Sequence, residues 1–109
     1  MRALLIASIF LFPAAAMAER VGRINVDDDG DVTMWTASGG AWDDSVTSNT
    51  CRTAGTQVVR FQVSTPGGES MLKVALSARL AGKEISVKSY ANQCIDGVAR
   101  ISSIDIDAD

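Results

Sequence analysis

The chain has 109 residues, two cysteines, no histidine, and thirteen acidic side chains against ten basic ones. This length allows one small domain. Without histidine there is no Ser/His/Asp or Cys/His catalytic relay and no histidine-ligated zinc, so the composition argues against an enzyme. A formal net charge of -3 provides no basic footprint for phosphate backbones or anionic lipid. We therefore expect no nucleic-acid partner and no cofactor.

The first eighteen residues are typical of a secretory signal peptide. Arg2 supplies a positive charge, an apolar run extends from Ala3 to Phe12, and a stretch of small residues ends at Ala18. A membrane-spanning helix needs roughly 20 apolar residues, whereas two charged residues follow Ala18 at once, so we expect no membrane insertion. The sequence predicts cleavage after Ala18, a single domain over 19–109, and a secreted or periplasmic location.

Export determines how Cys51 and Cys94 are interpreted. An even number of cysteines in a small exported domain favours a disulfide over free thiols or a metal site. The alternative is a redox-active or nucleophilic cysteine, but no C-x-x-C motif or histidine accompanies either residue. We predict a Cys51–Cys94 bridge that joins the loop before the third strand to the turn after the fourth.

Three strands are predicted in the first half of the domain. Segments in which apolar and polar residues alternate, as in half-buried strands, are 21–26, 32–37 and 57–63. In the first segment, the inward face carries Gly22, Ile24 and Val26. The Asp and Gly residues of 27–31 predict a turn that joins the first two strands as a hairpin.

A helix and two more strands are predicted in the second half. Residues 69–81 are rich in good helix formers, and Gly82 follows, which is typical of a helix end. The two strands cover 84–90 and 98–106. A turn over 92–97 carries Cys94. Alternation in the last strand slips by one residue at Ser102 and Ser103, which indicates a β-bulge.

The predicted helix has a wider apolar surface than one contact with a sheet requires. The apolar positions are Met71, Leu72, Val74, Ala75, Leu76, Ala78 and Leu80. Arg79 lies among them. Because one barrel cannot cover this surface, we predict a homo-oligomer, with Trp35, Met71, Leu72 and Arg79 as candidate interface residues. Trp35 is predicted on the outer face of its strand; a register shifted by one residue would place it in the core instead.

The order of elements, β-β-β-α-β-β, resembles the OB-fold, a five-stranded small barrel with its helix between strands three and four. The stretch GGESMLKVALSARLAGKEISVKSYANQC, followed by GVARISSIDI, is similar to small exported bacterial proteins that include the OB-fold B subunits of AB-type toxins. The similarity extends from Phe61 to Ile106. It implies a mainly β fold with one helix (α+β), a ring of five subunits, a cell-surface glycan ligand and an enzymatic A subunit as partner.

The long polar loop before the third strand carries the candidate ligand site. Trp42 follows two glycines and an alanine and precedes Asp43 and Asp44. An aromatic face can stack on the C–H groups of a sugar while carboxylates accept its hydroxyl hydrogens. The alternative is that Trp42 folds back and covers the end of the barrel. Tyr90 is a further candidate, because it lies near the predicted bridge and could line a polar pocket.

The acidic turn over 27–31 has two interpretations, a calcium site and a plain hairpin turn. Asp27, Asp29 and Asp31 alternate, as in some calcium loops. The EF-hand spacing fails, however, because Val32 occupies the glycine position and Ser38 the position of the bidentate glutamate. Asp and Gly also favour hairpin turns for conformational reasons. We assign no metal ligand, and a weak calcium site stays open as the alternative to a plain turn.

Together these observations predict a non-catalytic exported binding module, oligomeric, that recognises a cell-surface glycan or a protein. The alternative is a monomeric periplasmic or secreted structural or inhibitory protein that acts by protein contact. A hydrolase that uses Asp43 and Asp44 is disfavoured, because adjacent carboxylates on one loop do not flank a substrate at the separation that acid and base roles require.

Overall fold

The computed structural model describes residues 18–42, 46, 50–51 and 55–106. Its elements are, in chain order, β1 (Glu19–Val26), β2 (Asp31–Thr36), β3 (Val58–Gln62), α1 (Gly68–Ala81), β4 (Glu84–Ile95) and β5 (Val98–Ile106). The prediction of a mainly β, α+β fold with one helix is therefore confirmed. The predicted signal peptide lies outside the described residues, apart from Ala18. In the described part of the chain, no helix has both the length and the apolar character required to cross a membrane.

The strands pair into a closed ring. β1 pairs antiparallel with both β2 and β4, and β2 pairs antiparallel with β3. β3 meets β5 through one parallel pair, Arg60 with Arg100, and β5 pairs antiparallel with β4. In the resulting order, β1-β2-β3-β5-β4, each of these described strands has a neighbour on both sides. This arrangement protects the backbone groups of the strands from pairing with another chain.

β4 is longer than the sequence predicted. The expected turn over 92–97 is shorter, because the strand continues to Ile95 and carries Cys94. Asn92 adopts a φ of 56°, a left-handed conformation that asparagine tolerates, so the chain bends there while the strand continues. The pairing of β4 with β5 changes register between Ser89 and Cys94.

The predicted bulge in β5 is confirmed. Lys88 pairs with Ser103 and Ser89 pairs with Ile101, so Ser102 is the extra residue. An extra residue in one strand reverses the side-chain alternation beyond it. This explains why Ile101 and Ile104 both contact the core although they are an odd number of residues apart.

The prediction of which β1 residues face the core is wrong at both ends of the strand. Val21 is buried, with 5% of its surface exposed, whereas Val26 is 50% exposed. The pairing of β1 with β2 shifts between Val21 and Arg23, so Gly22 is a bulge that the alternation did not reveal. A Cβ atom at Gly22 would lie 2.7 Å from the Cα atom of Ala37. Glycine therefore allows the two backbones to approach this closely.

The core lies inside the ring of strands. Its largest fully buried side chains include Trp42, Phe61, Met34, Ile85 and Ile101. α1 contributes the small residues Ala75 and Ala78, which allow the helix to lie close to the strands. The helix ends where it was predicted to end, since Gly82 adopts the left-handed conformation with a φ of 68° and its N–H donates to helix carbonyls.

The predicted disulfide is confirmed. Cys51 and Cys94 are joined, with 5.2 Å between their Cα atoms and a sequence separation of 43. The bridge ties the segment before β3 to the end of β4. A disulfide of this kind fits an extracellular or periplasmic location, where thiols are not kept reduced.

Candidate functional site

The structure places Trp42 in the core, not in a ligand site. Its side chain has 0% of its surface exposed, and its indole N–H donates to the carbonyl oxygen of Met34 at 3.4 Å. A ring without an exposed face cannot stack on a sugar. The prediction of Trp42 as a ligand residue is therefore wrong, and the alternative, a tryptophan that covers the core, describes it. Asp43 and Asp44 lie outside the described residues.

The candidate interface residues on α1 are occupied within the chain. Met71 and Leu72 are partly buried and pack against the core. The Arg79 Nε–H donates to the carbonyl oxygen of Gly22 at 3.0 Å. Leu76 and Leu80 are instead the exposed apolar residues of the helix, at 43% and 85%. The apolar surface that a partner subunit could cover is therefore smaller than predicted and lies at the second half of α1.

Trp35 lies on the outer face of β2, as predicted. It is half-buried, and the guanidinium carbon of Arg23 lies 4.4 Å from the centroid of its ring. The two residues are opposite each other in the β1–β2 pair, which explains the contact. One face of the indole is thus covered by a cation.

Tyr90 lines a cleft of about 270 Å³ between β3, β5 and the start of α1. We call this the Tyr90 cleft. Its apolar lining consists of Phe61, Pro66, Met71 and Ile101. Its polar lining consists of Gln62, Thr65, Arg100 and Ser102. Tyr90 is 39% exposed as a residue, and the cleft combines this aromatic side chain with amide, hydroxyl and guanidinium groups.

The bulge at Ser102 positions the polar groups of the Tyr90 cleft. The Ser89 hydroxyl donates to the carbonyl oxygen of Arg100 at 3.1 Å, and the Ser102 hydroxyl donates to the carbonyl oxygen of Lys88 at 3.3 Å. These bonds hold the backbone at the point where the β4–β5 ladder is interrupted. Bulges commonly redirect side chains next to binding sites. Here the bulge follows Arg100 by two residues; the slip at Ser102 marks this segment in the sequence but does not place Arg100 beside Tyr90, which depends on the pairing of β4 with β5.

Arg100 interacts with both of its neighbours on β4. Its guanidinium carbon lies 4.9 Å from the centroid of the Tyr90 ring, and its Nη1 donates to Oε1 of Gln93 at 3.2 Å. Neither contact neutralises its charge. Within residues 18–42, 46, 50–51 and 55–106, no carboxylate lies within 4 Å of the Arg100 guanidinium. Its positive charge is therefore available at the edge of the cleft.

Arg60 pairs with Arg100 across β3 and β5, but unlike Arg100 it has a carboxylate neighbour. Its Nε donates to the hydroxyl of Thr33 at 2.7 Å, and its Nη1 donates to the carbonyl oxygen of Ile95 at 3.2 Å. The same Nη1 lies 3.8 Å from a carboxylate oxygen of Asp96. Arg60 therefore ties β2 and β3 to the β4–β5 turn, and its role is structural.

The acidic turn has the contacts of a hairpin. The carboxylate oxygens of Asp27, Asp29 and Asp31 lie within 4.8 Å of one another. Asp31 is buried and accepts a hydrogen bond from Nε2 of Gln62 at 3.1 Å, and Asp29 accepts one from the Asp31 backbone N–H at 3.2 Å. These bonds account for the arrangement of the turn, and we assign no metal to it.

Comparison with known proteins adds no assignment: no protein-family pattern, curated protein or solved structure matches the chain. The chemistry of the Tyr90 cleft therefore carries the functional argument. An aromatic ring, a guanidinium without a carboxylate partner among the described residues, and several neutral hydrogen-bonding groups face one concave surface. Such a surface has the groups that hold polar ligands by stacking and hydrogen bonding in other proteins.

Proposed function

We propose that the protein is a non-catalytic exported binding module that recognises a cell-surface glycan through the Tyr90 cleft. The observation that carries the proposal is the combination of the half-exposed Tyr90 ring with the charged Arg100 and the hydroxyls of Thr65 and Ser102 on one surface. An aromatic face packs against the C–H groups of a sugar ring, and the polar groups around it bind the sugar hydroxyls.

The size of the cleft fits a terminal sugar better than a large ligand. Its volume of about 270 Å³ lies just below the typical range for small-molecule sites, about 300–1,000 Å³. A single ring bound in a shallow, polar cleft gains little affinity, so recognition of a cell surface would depend on several copies acting together. We therefore include self-association in the proposal.

The fold and the compartment support the same function. We propose that the closed ring of strands, with α1 between β3 and β4, is an OB-fold-like small barrel of the toxin B-subunit kind. The signal-like start of the sequence and the Cys51–Cys94 bridge support export after cleavage behind Ala18. By the same resemblance, the partners would be a glycan and an enzymatic A subunit.

The test is glycan binding by the native protein and by Tyr90→Ala. We expect the native protein to bind a subset of glycans on an array, and the substitution to weaken binding of a soluble form of that glycan by about tenfold or more, which is 1.4 kcal/mol. Tyr90→Phe should retain most of the affinity, because it keeps the ring. Lys88→Ala changes an exposed residue of the same strand outside the cleft and should bind as the native protein does.

Stability separates loss of the site from loss of the fold. Tyr90 is exposed at 39%, so its truncation should change the free energy of unfolding by about 1 kcal/mol or less. Binding that survives Tyr90→Ala unchanged, or a native protein that binds no glycan, would contradict the proposed function.

A further inference from the structure

Two adjoining clefts lie on either side of the Arg79 side chain. The first, of about 350 Å³, is lined by Arg20, Arg79 and Lys83 around an apolar floor. The second, of about 470 Å³, is lined by Arg23 and Arg79 with Ile24 and Leu76. We call the four basic residues Arg20, Arg23, Arg79 and Lys83, with the clefts between them, the arginine groove. It contains four of the ten basic side chains of a protein whose formal net charge is -3.

The β1 bulge creates the groove. At Gly22 the β1–β2 register shifts, and the carbonyl oxygen of Gly22 accepts a hydrogen bond from Arg79 Nε at 3.0 Å. This bond stretches the Arg79 side chain from α1 to β1 and divides the depression into its two clefts. Arg23 is held as well, since its guanidinium lies on the ring of Trp35 at 4.4 Å. Two of the four charges, those of Arg23 and Arg79, are therefore held in position by contacts within the chain.

The arginines of the groove have no acidic partners in the part of the chain that the structure describes. No described carboxylate lies within 4 Å of the guanidinium groups of Arg20, Arg23 or Arg79. Glu84 is opposite Arg20 in the β1–β4 pair, and even this cross-strand neighbour forms no ion pair with it. Positive charges gathered on one surface attract an anionic partner.

The acidic turn carries the complementary charge. Asp27, Asp28 and Asp29 are exposed, and the carboxylate oxygens of Asp27, Asp29 and Asp31 lie within 4.8 Å of one another. None of the three exposed aspartates forms an ion pair with a described lysine or arginine. The neighbouring Val26 is 50% exposed, so the end of the hairpin combines negative charge with one apolar side chain.

We propose that the acidic turn of one copy binds in the arginine groove of a second copy. Each surface supplies what the other lacks, namely charge of the opposite sign, a hairpin turn for a groove, and an apolar contact between Val26 and the exposed Leu76 of the groove. Like molecules with a net negative charge repel each other, and segregation of opposite charges at the two surfaces overcomes this repulsion locally.

The occupant must be a second copy and not the same molecule. Both surfaces lie on or next to β1, which continues from Arg23 to Val26 and is followed by the acidic turn. An extended strand rises about 3.3 Å per residue, so the paired strand alone carries the turn on the order of 10 Å away from Arg23 and cannot fold back. The inference rests on the self-association in the proposed function and does not depend on the Tyr90 cleft.

The experiment measures association of the exported protein by sedimentation velocity in the presence of EDTA, which excludes bridging by metal ions. We expect oligomers at low ionic strength that dissociate in about 1 M NaCl, where the Debye length falls to about 3 Å. Asp28→Arg and Arg20→Glu should each weaken association by about tenfold or more at low salt. An equimolar mixture of the two variants should restore it, because the reversed charges attract each other again.

The control variants carry the same charge changes outside both surfaces. Asp105→Arg and Lys73→Glu alter exposed residues that line neither the groove nor the turn and should associate as the native protein does. If Asp28→Arg and Arg20→Glu left association unchanged, or if their mixture stayed dissociated, this inference alone would be overturned. A native protein that is monomeric at low salt would overturn it together with the self-association, while leaving glycan binding by the Tyr90 cleft to its own test.

Discussion

Trp42→Ala tests the placement of the largest side chain in the core. The side chain has 0% exposure and belongs to the main core cluster, so its removal leaves a large cavity. Truncation of a buried tryptophan costs about 3–5 kcal/mol in other proteins. A domain of this size has a free energy of unfolding of about 5–15 kcal/mol, so the substitution should remove a large part of the stability.

The assay is urea unfolding of oxidised protein, with the free energy in water obtained by linear extrapolation. Trp35→Ala is the matched control, because Trp35 is half-buried and covered on one face by Arg23. Loss of that cation–π contact costs about 0.5–1 kcal/mol, and the total should stay well below the cost at Trp42. Trp42→Phe, which keeps a ring and loses the 3.4 Å hydrogen bond to Met34, should fall between the two.

A small effect of Trp42→Ala on stability would refute the placement of Trp42 in the core. If Trp42→Ala changed the free energy of unfolding by less than about 1 kcal/mol, the typical effect of a single substitution, Trp42 would not be part of the core. If the same variant also lost glycan binding while Tyr90→Ala retained it, Trp42 would be the stacking residue, and the Tyr90 cleft would not be the binding site.

Two further predictions concern the framework. Replacing both Cys51 and Cys94 by serine should lower the free energy of unfolding by about 4 kcal/mol, because the bridge closes a long loop in the unfolded chain; thiol titration of denatured native protein should detect no free thiol, and two reactive thiols would contradict the bridge. Gly22→Ala should cost about 1–3 kcal/mol in urea unfolding, because its Cβ would lie 2.7 Å from the Ala37 Cα. Gly40→Ala meets side-chain oxygens and no backbone atom, namely those of Ser38 at 3.3 Å and Glu19 at 3.8 Å, and a loss as large as that of Gly22→Ala would contradict the steric explanation.

Features that depend on local sequence were predictable. The helix from Gly68 to Ala81 is a run of good helix formers between two glycines, and both glycines adopt positive φ angles at its ends. The slip at Ser102 was visible because apolar residues flank it on both sides. The core positions of β3 and β4 followed from alternation, since Val59, Phe61, Ile85 and Val87 are all buried.

Features that depend on contacts between distant segments were not predictable. The bulge at Gly22 arises from the close approach of Ala37, and no pattern within β1 reveals it. Trp42 lies in a polar, glycine-rich stretch, and the sequence left open whether it stacks on a ligand or covers the end of the barrel; the choice depends on the distant core, which accommodates the indole ring, and on Met34, which supplies an acceptor for its N–H. Tyr90 was identified from the sequence, but Arg100 was not, because its position beside the ring depends on the pairing of β4 with β5.

The two bulges also explain how one small domain can hold two separate surfaces. The bulge at Ser102 lies at the Tyr90 cleft and the bulge at Gly22 at the arginine groove, and the two surfaces have no lining residue in common. Met71 of the first and Arg79 of the second lie eight residues apart on α1, which is about 12 Å along a helix. In the proposed assembly, a turn bound in the groove would therefore leave uncovered the Tyr90 cleft of the copy that provides the groove. Several weak sites held in one assembly bind a surface of repeated ligands more strongly than any one of them does, which is what the proposed site for a single sugar would require.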